Sequence, residues 1–198
     1  MNMVAVDQKE LAALKEAVRT HLSEHRYEHC LRVSDYAVKL AKQNGLDEKQ
    51  AAVAGLVHDY AKERTAAEFL AKIDEKHLPT SLKKWGNPIW HGVVGAEFVH
   101  DELKIDDPAI LEAIRLHTTG AGHHDMTTLD KVVFMADYLE TGRHFPGVEE
   151  ARRITDESLN QGVFYQLAHT LSYLAGKEHV IYPKTFDAYN DWAEYLSK

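Results

Sequence analysis

The sequence predicts an all-α fold. Apolar residues recur at spacings of three and four along almost the whole chain, as in helices with one buried face. Capping residues and sparse glycines and prolines fall between these stretches. No convincing strand, internal repeat or low-complexity tract interrupts the pattern.

Leu11, Leu14, Val18 and Leu22 mark a first helix. Val33, Ala37, Leu40 and Ala41 mark a second, closed by Asn44-Gly45, a good helix stop. Asp47 can cap a third, which carries the apolar run from Ala51 to Val57 and ends in His58-Asp59. Thr65 can cap a short fourth around Phe69, Leu70 and Ile73, and Leu78-Pro79-Thr80 reads as a loop. Asn87-Pro88 opens a helix through Trp90, Val94 and Phe98, with proline in the first turn where its missing N–H costs nothing. Asp106-Asp107-Pro108 opens another, through Ile110, Ile114 and His117. Residues 120–125 are a loop, and Thr127 or Thr128 starts a helix from Leu129 to Leu139. After a loop over 141–148, helices are expected at about 149–160, 161–175 and 185–196.

With 198 residues, 44% of them hydrophobic, the chain is most simply one domain with a real core. A formal net charge of −8 argues against nucleic-acid binding through a basic surface. The single cysteine, Cys30, excludes a disulfide framework and a cysteine-rich zinc site, and its apolar neighbours make it a buried small hydrophobe. The stretch 1–24 is polar, with no apolar signal region. No apolar run approaches the roughly 20 residues needed to cross a bilayer. The expected compartment is the cytoplasm, with no membrane partner. A homodimer is compatible with the sequence.

His58-Asp59 is the most informative feature. A carboxylate ends an apolar helix, where burial of an unpaired charge is costly and the helix dipole presents its negative end. A bound cation resolves both problems. Further candidate ligands, His29, His91, His117 and Asp137, lie at successive separations of 20–33 residues, about one helix and a connection apart. Helical spacing places each on an apolar face: His29 with Val33, Tyr36 and Leu40, His91 with Val94 and Phe98, His117 with Ile110, Ala113 and Ile114, and Asp137 with Val133. One inward histidine is more often a hydrogen-bonded core residue. Four of them with two aspartates point to metal. Imidazole and carboxylate donors without thiolate suit iron, manganese, zinc or nickel. Six ligands exceed one tetrahedral zinc and suit two ions, with Asp59 as the natural bridge.

The sequence blocks around these residues resemble the HD-domain phosphohydrolase superfamily, and within it the bacterial YqeK family. They are Arg26-Tyr27-Glu28-His29, Gly55-Leu56-Val57-His58-Asp59-Tyr60-Ala61-Lys62, Ile89-Trp90-His91-Gly92, Leu116-His117-Thr118-Thr119-Gly120, and the stretch from Ala136-Asp137 through Arg143 to Val148. The tail from Ile181 to Asn190 matches loosely, with Tyr182 and Tyr189 where the family pattern has His and Arg. The resemblance implies a single HD domain over 1–198, a helical bundle with ligands contributed from several helices, its core at about 26–140 and C-terminal helices 149–198 packed on it.

It also implies symmetrical hydrolysis of diadenosine tetraphosphate, with a dinucleoside polyphosphate as substrate, ADP as product, and two divalent or trivalent metal ions, iron being the expected pair. On that reading His29, His58, Asp59, His91, His117 and Asp137 bind metal, and Asp59 is catalytic as the bridge. Lys62, three residues past Asp59, is catalytic through phosphate or leaving-group charge. Thr118 can donate to a phosphate oxygen, and the planar fork of Arg143 suits a flanking phosphate. Arg26, near His29, faces either pocket or solvent. The alternatives are another HD-type activity (a nucleotidase, a phosphodiesterase or a guanosine tetraphosphate hydrolase) or a non-catalytic nucleotide sensor, which a complete six-ligand set disfavours. His123-His124-Asp125 reads as a solvated loop, and His21, His25, His77, His100, His144, His169 and His179 read mostly as surface positions.

Overall fold

The computed structural model describes residues 8–197. Among the described residues it contains eleven α-helices, one short 3₁₀ helix and no strand. In chain order the helices are α1 (Gln8–Arg19), α2 (Glu24–Gln43), α3 (Glu48–Val57), α4 (Ala66–Glu75), α5 (Asn87–Val93), α6 (Gly95–Leu103), α7 (Pro108–Leu116), α8 (Thr128–Leu139), α9 (Val148–Glu157), α10 (Leu159–Gly176) and α11 (Pro183–Leu196). The expected caps are in place. Asp47 accepts from the backbone of Lys49 and Gln50, and Thr65 and Thr127 each form a capping box, with Glu68 and Asp130.

The core is organised around α2 and α3. Every residue of α3 from Ala51 to Val57 is buried, so this helix is enclosed on all sides. Gly55 is what lets it lie so close to α2: a Cβ there would stand 2.9 Å from Ser34 Cα and 3.0 Å from the Val33 carbonyl oxygen. Helix α8 packs on α2, α3 and α7, and α10 packs on α8, α9 and α11. Cys30 is fully buried.

Several boundaries differ from the sequence reading. α1 ends at Arg19, and Leu22 is buried beyond it. The helix opened by Asn87-Pro88 breaks at Val94 into α5 and α6, where the bonding tightens to an i+3 step from Glu97 N–H to the Val94 carbonyl. A 3₁₀ helix, Thr80–Lys84, follows Pro79. The junction expected near 160 is at Ser158, whose extended backbone ends α9 while its hydroxyl accepts from Gln161 N–H and caps α10.

His58 and His117 each lie one residue past the end of a helix, α3 and α7. Each ring takes a carbonyl three residues back: His58 Nδ1 donates to Gly55 at 2.7 Å and His117 Nδ1 to Ile114 at 2.7 Å. Each thus engages a carbonyl near its helix end. From His58 the chain continues as tight i+3 turns, including Lys62 N–H to the Asp59 carbonyl at 2.9 Å. At three residues per turn, side chains three apart eclipse, and this carries Lys62 over Asp59.

Candidate metal centre

The structure brings all six candidate ligands together. Their donor atoms form three overlapping triads: His29, His58 and Asp59; His58, His117 and Asp137; and Asp59, His91 and His117. The four imidazoles stand in a row, His29, His58, His117, His91, with successive ring centroids 5.3, 5.0 and 5.0 Å apart and roughly edge-on. Gly92 permits the last of these approaches, since a Cβ there would meet the Ile114 carbonyl oxygen at 3.2 Å and His117 Cε1 at 3.3 Å.

The row has a fixed polarity. His58 and His117 donate Nδ1–H to backbone carbonyls as above, and His91 Nδ1 donates to the Asn87 carbonyl at 2.6 Å. A carbonyl only accepts, so in these rings the proton is on Nδ1 and the lone pair on Nε2. His29 Nδ1 donates instead to Glu140 Oε1 at 3.1 Å. All four rings therefore present Nε2 to the two aspartates.

Asp59 sits between the two ends. Its Oδ2 is 3.6 Å from His58 Nε2 and 3.8 Å from His29 Nε2, and its Oδ1 is 3.5 Å from His91 Nε2 and 3.6 Å from His117 Nε2. Asp137 Oδ1 is 3.1 Å from His29 Nε2 and 3.7 Å from His58 Nε2. The Nε2 atoms of His29 and His58 and Oδ1 of Asp59 are nevertheless buried without a hydrogen-bond partner. Buried polar atoms of this kind are costly unless something satisfies them. The lone pairs of His29 and His58 face Asp59 Oδ2 and Asp137 Oδ1 on one side, and Asp59 Oδ1 faces His91 and His117 on the other, an arrangement of donors that fits metal cations.

The field of the site points the same way. Burial would raise Asp59, but His58, His117, His91 and Lys62 around it hold its carboxyl well below the usual range. Asp137 is held low in the same sense, by His29, His58 and Arg143 against burial. Burial, followed by the nearby His117 and Lys62, pushes His91 down to about 3 despite Asp59, so its ring is neutral at physiological pH. For His58 burial acts downward, yet Asp59 and Asp137 carry it above its ordinary value.

The remaining candidates also fall here. Lys62 Nζ is 2.9 Å from His91 Nε2 and 3.9 Å from Asp59 Oδ1, and burial lowers its pKa. Thr118 Oγ1 is 2.9 Å from His91 Nε2 and 3.1 Å from His117 Nε2. Arg26, left open between pocket and solvent by its sequence position, turns inward, with Nη1 2.8 Å from Asp59 Oδ2. Arg143 Nη2 is 2.6 Å from Asp137 Oδ1, and its Nε donates to the Asp137 carbonyl at 2.8 Å. The His123-His124-Asp125 loop belongs to none of the metal triads.

Beside the triads is a pocket of about 290 Å³ lined by Lys62, Asn87, Pro88, His91, His117, Thr118, Asp137 and Gln166. A larger groove of about 420 Å³, between Tyr36, Lys39, Thr141 and Arg152, has none of the candidate ligands in its lining.

Four residues of this neighbourhood escaped the sequence reading. Glu140, 2% exposed, accepts the hydrogen bond from His29 Nδ1 and is itself held by Arg32 Nε at 2.7 Å and the Gly142 N–H at 2.5 Å. It lies 111 residues from His29, and no local spacing links the two. Arg32 is 108 residues from Glu140, again with no local spacing to link them. Asn87 opens α5, as its sequence position before Pro88 indicates, and its side-chain amide also donates to the Lys62 carbonyl at 2.9 Å. Gln166 had one visible sign, an amide within the apolar stripe of Leu159, Val163 and Leu167.

A helical bundle with this donor set is of the HD class, and the HD domain family model matches residues 26–142. The chain belongs to the HD-domain family, and it is a hydrolase. More particularly, it is 40% identical over 175 residues to the symmetrical bis(5'-nucleosyl)-tetraphosphatase of Halalkalibacterium halodurans, a match covering 88% of this chain and 92% of that one. Against the protein of the same name from Bacillus subtilis it is 40% identical over 173 residues, 87% of this chain and 92% of that one. A crystal structure from Clostridium acetobutylicum, described as an HD superfamily hydrolase involved in NAD metabolism, superposes with a TM-score of 0.87 at 32% identity, over 93% of this chain and 97% of that one. The resemblance drawn from the sequence blocks therefore stands. Among the described residues, no helix is long and apolar enough to cross a membrane.

Proposed function

We propose that this chain hydrolyses diadenosine tetraphosphate symmetrically, giving two ADP, at a centre that holds two metal ions, iron in the first instance. The observation that carries the reading is the shared position of Asp59 in two triads, one of which contributes His91 and His117 to a pocket that also contains Lys62 and Thr118. The 40% identical relatives named for this activity support the substrate.

His29, His58, Asp59 and Asp137 would hold one ion, and Asp59, His91 and His117 the other. When bound, such ions supply Lewis acidity toward phosphate oxygens and toward water. Asp59 and Asp137, held ionised, keep the negative charge that such ions need. Lys62 and Thr118 reach from the pocket side to phosphate oxygens, Lys62 offsetting charge on the departing ADP. Arg26 and Arg143 orient the carboxylates they contact, and each guanidinium keeps further N–H groups for phosphate. In the reaction the water oxygen bonds to one inner phosphorus, the central bridging oxygen leaves with the other half, and the proton count closes on two ADP.

We read residues 1–198 as one HD domain acting in the cytoplasm on a small nucleotide. The deciding experiment is chromatography of the products from diadenosine tetraphosphate with purified, anaerobically iron-loaded protein. ADP as sole nucleotide product is expected. AMP and ATP as main products, or no turnover, would overturn the proposal.

A further inference from the structure

Gln166 sits on α10 in the buried stripe of Val163 and Leu167, and is itself only 7% exposed. Its Oε1 has no hydrogen-bond partner. An unpaired buried amide oxygen carries its full desolvation cost, and a leucine or methionine would fill the same space without it. Packing therefore gives no reason for an amide here. The pocket does: Gln166 lines it together with Lys62, His91, His117, Thr118 and Asp137.

We propose that Gln166 is a substrate-contacting residue that accepts a hydrogen bond from the nucleoside part of the bound nucleotide, from a ribose hydroxyl or from the exocyclic amine of the base. This rests on the nucleotide-hydrolase reading above. The chemistry selects the partner. A phosphate ionised at neutral pH offers only acceptors, so it cannot satisfy a carbonyl oxygen. Lys62 and Thr118, whose side-chain donors line the pocket, take the phosphates, while the Asn87 amide is held on the Lys62 carbonyl. Gln166 supplies an acceptor from α10, the one C-terminal helix in the lining. The phosphate-facing groups come instead from the turns after α3 and α7.

The test is equilibrium binding of ADP, 2'-deoxy-ADP, 3'-deoxy-ADP, IDP and pyrophosphate to metal-containing wild-type, Gln166→Leu and Gln166→Met proteins. Both variants should bind ADP roughly 2- to 12-fold more weakly, the net worth of one neutral hydrogen bond. Pyrophosphate affinity and metal content should not change, and Tm should hold or rise, because no internal hydrogen bond is lost. Wild type should bind one analogue more weakly than ADP by the same factor, and the variants should not distinguish that analogue from ADP. A deoxy analogue would identify the ribose, and IDP the base amine. Unchanged ADP affinity in both variants overturns the inference alone. So does equal weakening toward every ligand including pyrophosphate, or a fall in Tm in both variants, which would make Gln166 a packing residue. Wild type that binds no ADP overturns the nucleotide reading itself, and this inference with it.

Discussion

On the Oδ2 side of Asp59 the bracing groups are charged except at His58, which a backbone carbonyl holds, whereas on the Oδ1 side they are backbone carbonyls, a hydroxyl and one lysine. Arg26 holds Oδ2, Arg143 holds Asp137, and His29 is fixed by Glu140, which Arg32 holds in turn. Across the carboxylate, His91 and His117 are fixed by the carbonyls of Asn87 and Ile114. Lys62 and Thr118 there contact the histidines and face the pocket. The difference teaches a division of labour. A ligand gripped by a partly buried ion pair is oriented strongly, as carboxylate–histidine arrangements at metal sites are. On the proposed reading, a ring held by a carbonyl beside a lysine and an open pocket would be better placed to share an ion with a substrate.

The largest expected effect comes from removing what both sides share. Asp59→Ala should abolish nearly all hydrolysis and lower metal content on both sides, while the helical circular dichroism remains. Loss of a carboxylate from the negative end of α3 partly offsets the stability cost. A variant that keeps one tightly held ion would mean that the two sides are independent.

Next is the charged brace. Glu140→Ala should weaken metal binding on the His29 side by about 10- to 100-fold, the usual cost of losing an outer partner of a ligating histidine. Glu140→Gln should recover part of the loss, because it still offers an acceptor to Nδ1. Metal titration by calorimetry reads this as one weakened and one unchanged phase; equal weakening of both would blur the proposed asymmetry.

The glycines sharpen the same contrast. Gly55→Ala drives a Cβ to 2.9 Å from backbone and should cost roughly 1–3 kcal/mol in urea unfolding, as overpacking does. Gly92→Ala meets its neighbours at 3.2 Å or more, one of them the Thr118 hydroxyl, so its cost should be smaller and its effect confined to the His91 side. The smallest change is Thr118→Val. It should raise the transition-state barrier by about 0.5–1.5 kcal/mol, one neutral hydrogen bond, with metal content unchanged. An unaltered kcat/KM would remove Thr118 from the phosphate contacts.

The helices and the inward faces were legible because both follow from local periodicity and caps. The gathering of His29, His58-Asp59, His91, His117 and Asp137 was legible because charged groups on apolar faces need partners. What stayed hidden was set by contacts distant in sequence or by competition for single hydrogen bonds. Glu140 meets His29 only after α8 packs on α2. The ends of α3 and α7 come just before His58 and His117, where the rings themselves take carbonyls, and periodicity does not report that. The break at Ser158 was written in the sequence, since Ser158 stands three residues before Gln161, a capping pattern that the apolar spacing alone passes over.

The most direct test of the two-sided centre is a metal count per chain, by elemental analysis after anaerobic iron loading, on wild type and on His117→Ala. The account predicts close to two equivalents in wild type. In His117→Ala it predicts close to one, resistant to the chelator concentration that strips the second ion from wild type. A single equivalent in wild type, or complete loss of metal in His117→Ala, would contradict it.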